Sequence, residues 1–154
     1  MKLSKHTPIK ILGGGIAGLS AGIFLKQAGF DPIIYEKNNF CGAGRHEDIE
    51  GLETWNFCPN PIDFLNQLGI PTDFQYKSEN EITVHFDKYP KLKISDSNSF
   101  FHFVQRGPNS GNIDKELQSY ALSIGCEIRF GFTPQLENIA IIATGANKAK
   151  AFIE

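Results

Sequence analysis

Ile9-Lys10-Ile11-Leu12-Gly13-Gly14-Gly15-Ile16-Ala17-Gly18-Leu19 is the stretch that decides the fold. Ile9 to Leu12 is a short apolar run closing on three glycines, which reads as a buried parallel strand. From Ile16 to Ala28, apolar residues at 16, 19, 23 and 24 recur at helical spacing. Ala17, Gly18, Ala21 and Gly22 give that helix a face small enough to approach a sheet closely, and Gly29 suits its end. Pro32-Ile33-Ile34-Tyr35-Glu36 then reads as a second strand finishing on an acid. Strand, glycine turn, helix and strand make a βαβ unit, and such units are almost always right-handed.

The glycines have separate tasks. Gly13 tolerates the positive φ of a sharp turn, and Gly15 removes a side chain where a diphosphate must come close to the backbone. Gly18 lets the helix lie tightly on the strand. Gly14, Ile16 and Ala17 complete the loop, and the helix that starts there points unpaired N–H groups and its positive end at the phosphates. A bare G-x-G-x-x-G is a weak signal, but here the strand, helix, second strand and acid all stand in the required order. Glu36 follows Gly18 by 18 residues, close to the ~20 expected of the carboxylate that accepts ribose hydroxyls. A 2′-phosphate there would meet like charge, which disfavours NADP. The expected class is therefore α/β, a Rossmann-like dinucleotide-binding domain with a central parallel sheet, helices on both faces and a small antiparallel β insertion.

The remaining chain places that insertion at about residues 73–105 of a single domain over 1–154. Lys37 to Asn60 reads as a long, mostly irregular loop, and Pro61 to Leu68 as a short helix ended by Gly69. Glu81 to Phe86, Lys91 to Ser95 and Phe100 to Val104 alternate apolar and polar residues and read as one three-stranded antiparallel sheet. Asp114 to Ile124 is an amphipathic helix, and Cys126 to Phe130 and Asn138 to Ala143 are strands of the parent sheet.

The residues after Glu36 bear on which nucleotide is held. Glu36-Lys37-x-x-x-Cys41-Gly42-Ala43-Gly44-Arg45 places glycines and an arginine after the ribose acid. In this the chain resembles the glutathione-reductase-like flavoprotein superfamily. His46-x-Asp48-x-Glu50-Gly51-Leu52-Glu53-Thr54-Trp55 and Val104-x-Arg106-Gly107, followed by Ile113-Asp114-x-x-Leu117, look like segments of its geranylgeranyl-reductase-like dehydrogenases. Ile141-Ile142-Ala143-Thr144-Gly145-Ala146 is similar to the Ala-Thr-Gly segment that returns the chain toward the cofactor. The resemblance implies FAD, with NAD as the alternative. It puts the diphosphate on Gly13 to Gly18 and the ribose on Glu36, beside Lys37. Gly44, Arg45 and Arg106 would face the diphosphate or flavin side, and Ala143, Thr144 and Gly145 would close the site. Arginine suits that role by its permanent charge and planar donor fork, although surface salt bridges would also account for both. Thr144 and Gly145 are equally readable as a turn after a buried strand, and Trp55 as a packed aromatic.

Such relatives extend past the Ala-Thr-Gly segment, whereas Glu154 lies nine residues after Gly145, so the resemblance implies the N-terminal, FAD-binding part of an oxidoreductase. Its partners would be a small-molecule substrate or a separate redox or substrate-domain chain, and a homo-oligomer is compatible. A non-catalytic FAD-, NAD- or ADP-binding module is the other reading. No catalytic constellation is legible: His46, His85 and His102 are scattered without a named partner.

Composition excludes other classes. The chain is 41% hydrophobic and 21% charged, with a formal net charge of -2, so neither nucleic acid nor an anionic membrane is an expected partner. No apolar run approaches the ~20 residues of a membrane span, and no secretory signal is read at the start, so the expected location is cytoplasmic. Cys41, Cys58 and Cys126 form no CxxC pair and read as reduced thiols. Cys41 with His46 makes a poor zinc site, and no metal is expected. Cys41 near Lys37 and Arg45 admits a low-pKa, redox-active thiol.

Overall fold

The computed structural model describes residues 7–45, 47–54 and 60–145. His46, Trp55 and Cys58 lie outside the described residues, as does Ala146 of the Ala-Thr-Gly segment.

Strand β1 (Ile9–Leu12) leads through the glycine turn into helix α1 (Ile16–Gln27), and β2 (Pro32–Glu36) returns parallel to β1, with Ile9 beside Pro32 and Leu12 beside Tyr35. Strand alternation turns Ile11 and Ile34 to one face of the sheet. There they meet Leu19 and Ile23 of α1, all four fully buried. Each such side chain contributes about 1.5–3 kcal/mol by leaving water. The outer strands are β8 (Glu127–Phe130), parallel to β2, and β9 (Ile141–Ile142), parallel to β1, giving the order β8-β2-β1-β9.

Helix α2 (Pro61–Gln67) starts at Asn60, whose side chain accepts from the backbone N–H of Ile62 at 3.0 Å. Helix α3 (Ile113–Ser123) packs against α1 through Leu117 and Ala121. All three helices feed the core on the Ile11–Ile34 face. The opposite cluster of Leu12, Ile33 and Tyr35, with Ile139 against it, includes no residue of an α-helix. The described helices contribute their buried apolar residues to the Ile11–Ile34 cluster.

Among its described residues, the region 37–60 is mostly irregular as expected, but it carries one strand, β3 (Ile49–Glu53). Two expectations need correction. The three-stranded insertion sheet over 81–105 does not form. Strands β5 (Glu81–Phe86) and β6 (Tyr89–Ser95) pair with each other alone, while β7 (Phe101–Gln105) lies between β3 and β4 (Tyr76–Glu79). Burial explains the split. His102 and Val104 of β7 are buried, which needs neighbours on both edges, whereas no residue of the β5–β6 hairpin is buried. Alternation identifies a strand without naming its partner. Finally, the strand expected over 138–143 shortens to Ile141–Ile142, preceded by a 3-10 turn at Leu136–Asn138.

Candidate dinucleotide-binding site

The C-terminal ends of β1 and β2 and the N-terminus of α1 open on a cavity of about 770 Å³. Gly13 stands at φ 109°, a conformation that L side chains rarely adopt, and its N–H donates to the Tyr35 carbonyl at 2.8 Å. A Cβ on Gly13 would lie 2.4 Å from the Ala143 carbonyl oxygen. The Ala143 N–H in turn donates to the Leu12 carbonyl at 2.7 Å, so the chain after β9 is seated directly on the loop. A Cβ on Gly18 would lie 1.8 Å from the Gly13 carbonyl oxygen, which is why the first turn of α1 can lie on the loop.

Gly15 behaves oppositely. A Cβ there would meet nothing within 4 Å. Gly15 is also the N-cap of α1, and no side chain caps the helix. The first N–H groups of α1 and the positive end of its dipole are thus presented to a space kept free of side chains, which suits an anion.

Glu36 is nearly buried, 7% exposed, at the tip of β2. Its Oε2 accepts from the Gly14 N–H at 2.9 Å, and its Oε1 accepts from the Asn38 N–H at 2.9 Å and from Asn38 Nδ2 at 2.7 Å. The carboxylate therefore faces the glycine loop, held by it.

A chain of four charges reaches the cavity through Arg45, Glu50 and Arg106. Asp114, fully buried in the first turn of α3, receives both Nε of Arg106 at 2.8 Å and Nη2 at 2.9 Å, and the Gly107 N–H at 2.8 Å. Arg106 Nη1 continues to Glu50 Oε2 at 2.5 Å, and Arg45 Nη1 reaches Glu50 Oε1 at 3.0 Å. Burial works against the Arg106 charge, but the hydrogen bonds and charges of Asp114 and Glu50 outweigh it and hold the guanidinium above its ordinary range. Both arginines line the cavity, and both are paired.

Of the residues expected from sequence, Gly13, Gly15, Ile16, Ala17, Glu36 and Lys37 line the cavity. Gly44, Arg45, Arg106, Ala143, Thr144 and Gly145 line it as well. Gly14 and Gly18 do not; they act from behind, on Glu36 and on Gly13. Thr144 Oγ1 is buried and has no hydrogen-bond partner among the described residues. Sequence reasoning missed Asn38 and Glu50 as lining residues and Asp114 as the anchor of Arg106. An acid in the first turn of a helix just after an arginine is the one signal that pointed to Asp114.

The redox reading of Cys41 is overturned. Burial, then the charges of Glu36 and Asp114, push its thiol up to about 12 against a weaker opposing pull from Lys115. Cys41 is fully buried, and Arg45, expected beside it, pairs with Glu50 instead. Cys126 is core, its thiol directed at the Gly22 carbonyl. His102 is buried with Nδ1 2.8 Å from Ser78 Oγ, and burial lowers its pKa against a weaker opposing effect of Asp63. No cluster of metal-binding side chains occurs among the described residues.

Comparison with known proteins bears on the fold. Residues 11–58 match the family of the NAD(P)-binding Rossmann-like domain. The chain is 26% identical over 159 aligned positions to thioredoxin reductase of Buchnera aphidicola subsp. Baizongia pistaciae, covering 92% of this chain and 47% of that protein. It is 34% identical over 83 positions to 15-cis-phytoene desaturase of Synechococcus elongatus, covering 48% of this chain and 18% of that one. Crystalline 2-methyl-3-hydroxypyridine-5-carboxylic acid oxygenase (mutant Y270A) superposes with a TM-score of 0.63 at 22% identity, over 82% of this chain and 32% of the other. The chain thus spans under half the length of these relatives. It carries a Rossmann-like, oxidoreductase-type dinucleotide-binding domain homologous to those of flavin-dependent oxidoreductases.

Proposed function

We propose that this domain holds FAD for an oxidoreductase that works on an organic small molecule. The observation that carries the reading is the joint placement of Gly15 and Glu36. One leaves open space at an uncapped helix N-terminus, and the other is fixed by the Gly14 N–H at 2.9 Å beside it. A diphosphate fits the first and a ribose the second. The unpartnered Thr144 Oγ1 and a cavity of about 770 Å³ give room and a further polar contact for a ligand longer than ADP. When bound, FAD supplies hydride and electron transfer between a nicotinamide or redox partner and the substrate; the protein supplies binding, orientation and electrostatics. The α1 N-terminus would bind the diphosphate, Glu36 the adenosine ribose, and Lys37 would lie beside it. The Arg45–Glu50–Arg106–Asp114 chain would shape the distal wall, which includes Gly44.

Within the flavoproteins, the geranylgeranyl-reductase-like branch is our choice, supported by the joining of Arg106 to Asp114 that its motif places in sequence. Relatives that share the domain carry names as different as thioredoxin reductase and phytoene desaturase, so the substrate is selected outside the dinucleotide site. Buried free thiols at Cys41 and Cys126 support a cytoplasmic location.

The test is an absorption spectrum of the purified protein, with a FAD titration of the colourless form read by quenching of flavin fluorescence. Flavin bands, FAD release on denaturation, and loss of both in Gly15→Val are the expected results. A colourless protein that ignores FAD but binds NAD or ADP by calorimetry would replace this reading with the nucleotide-binding module. Binding of FAD that survives Gly15→Val would remove the phosphate loop from either reading.

A further inference from the structure

The motif gives the sugar to Glu36 alone. The geometry points to Asn38 as a second, specificity-determining ribose residue of the same site, an inference that rests on the dinucleotide reading above. An ionised carboxylate offers about four acceptor positions, two on each oxygen. Oε1 of Glu36 already accepts from the Asn38 N–H at 2.9 Å and from Asn38 Nδ2 at 2.7 Å, which fills it. Oε2 accepts from the Gly14 N–H at 2.9 Å and keeps one position. An adenosine ribose presents two hydroxyls. Glu36 can take one of them and lacks an acceptor for the other.

Asn38 supplies it. Its amide must turn the NH₂ group to the carboxylate, because an amide oxygen there would face the Glu36 charge. Oδ1 is thereby turned the other way, and no hydrogen bond among the described residues uses it. Asn38 lines the same cavity as Glu36, and its own carbonyl accepts from the Gly131 N–H at 3.0 Å, which ties this turn to the end of β8. The acceptor is therefore fixed before a ligand arrives, at low entropic cost to binding. One hydroxyl of the ribose binds Glu36 Oε2 and the other binds Asn38 Oδ1.

Calorimetry with ADP, 2′-deoxy-ADP and 3′-deoxy-ADP tests this. The wild type should prefer ADP to each deoxy analogue, by roughly 2- to 12-fold for a hydroxyl given to a neutral amide and more for the one given to a carboxylate. In Asn38→Lys, whose ammonium still donates to Glu36 Oε1 but offers no acceptor, one of the two preferences should vanish while the other persists. Glu36→Gln should weaken the preference that Asn38→Lys leaves intact. Asn38→Arg, likewise a donor without an acceptor, should repeat the Asn38→Lys pattern if the lysine variant does not fold. Both preferences intact in the Asn38 variants, or both lost in Glu36→Gln, would overturn the assignment while leaving the nucleotide site standing. Failure of the wild type to bind ADP would overturn the dinucleotide reading and this inference with it.

Discussion

The Gly14 N–H donates to Glu36 Oε2 across 2.9 Å, joining residues 22 apart in sequence. That bond makes one carboxylate serve two ends. It satisfies a backbone donor of the phosphate loop, which would otherwise cost about 1–3 kcal/mol when buried, and it aims the same acid at the space where a sugar would lie. The glycine loop and the Glu36 carboxylate are therefore one unit.

Gly15 and Gly18 should separate binding from stability. Gly15→Val places atoms in open space at an extended N-cap and should lower stability by no more than about 1 kcal/mol, while weakening nucleotide binding at least tenfold, about 1.4 kcal/mol. Gly18→Ala drives a Cβ to within 1.8 Å of the Gly13 carbonyl oxygen and should cost about 3 kcal/mol or more, or prevent folding. Urea denaturation of both variants, beside a FAD titration, checks the contrast.

The charge chain of Arg45, Glu50, Arg106 and Asp114 is unequal along its length. Asp114→Ala leaves the guanidinium of Arg106, 5% exposed, without its two-pronged partner and should destabilise by about 3–5 kcal/mol. Arg45→Ala breaks a pair whose side chains are 47% and 38% exposed and should cost less than about 1 kcal/mol. Equal losses in chemical denaturation would contradict this ordering.

Cys41 gives stability a distinct alkaline limb. Its thiol is raised from 9.0 to about 12 in the folded chain, so folding favours the protonated form. The unfolded chain then binds fewer protons between those values. The associated stability is fully present below about pH 9 and is lost as pH rises toward 12. A Cys41→Ala variant lacks this limb, so its stability curve should approach that of the wild type over the same window. At pH 8, alkylation followed by peptide mass spectrometry should leave Cys41 and Cys126 unmodified until urea is added.

Thr144 carries a hydroxyl that the described residues leave unpaired. Thr144→Val keeps the shape and removes that group. Without nucleotide, the variant should match or exceed the wild type in stability, by up to about 1 kcal/mol. Its affinity for FAD should fall by roughly 2- to 12-fold, for the loss of one hydrogen bond. An unchanged dissociation constant would take Thr144 out of the site.

Local chemistry alone made much of this protein legible. The βαβ start, the separate tasks of Gly13, Gly15 and Gly18, and the choice of Glu36 all come from backbone freedom, helix and strand periods and a fixed spacing between loop and acid. None of these needs knowledge of distant partners. Tertiary structure decided what depends on who meets whom. It moved Phe101–Gln105 away from the 81–95 hairpin to lie between β3 and β4, because alternation marks a strand and says nothing of its neighbours. It joined Arg45 and Arg106, expected on the diphosphate or flavin side or in surface salt bridges, into one chain with Glu50 and Asp114, and it buried Cys41 as an inert thiol. Charge pairing and burial are set in three dimensions, by groups as far apart in sequence as Glu50 and Arg106, and no pattern of spacing encodes them.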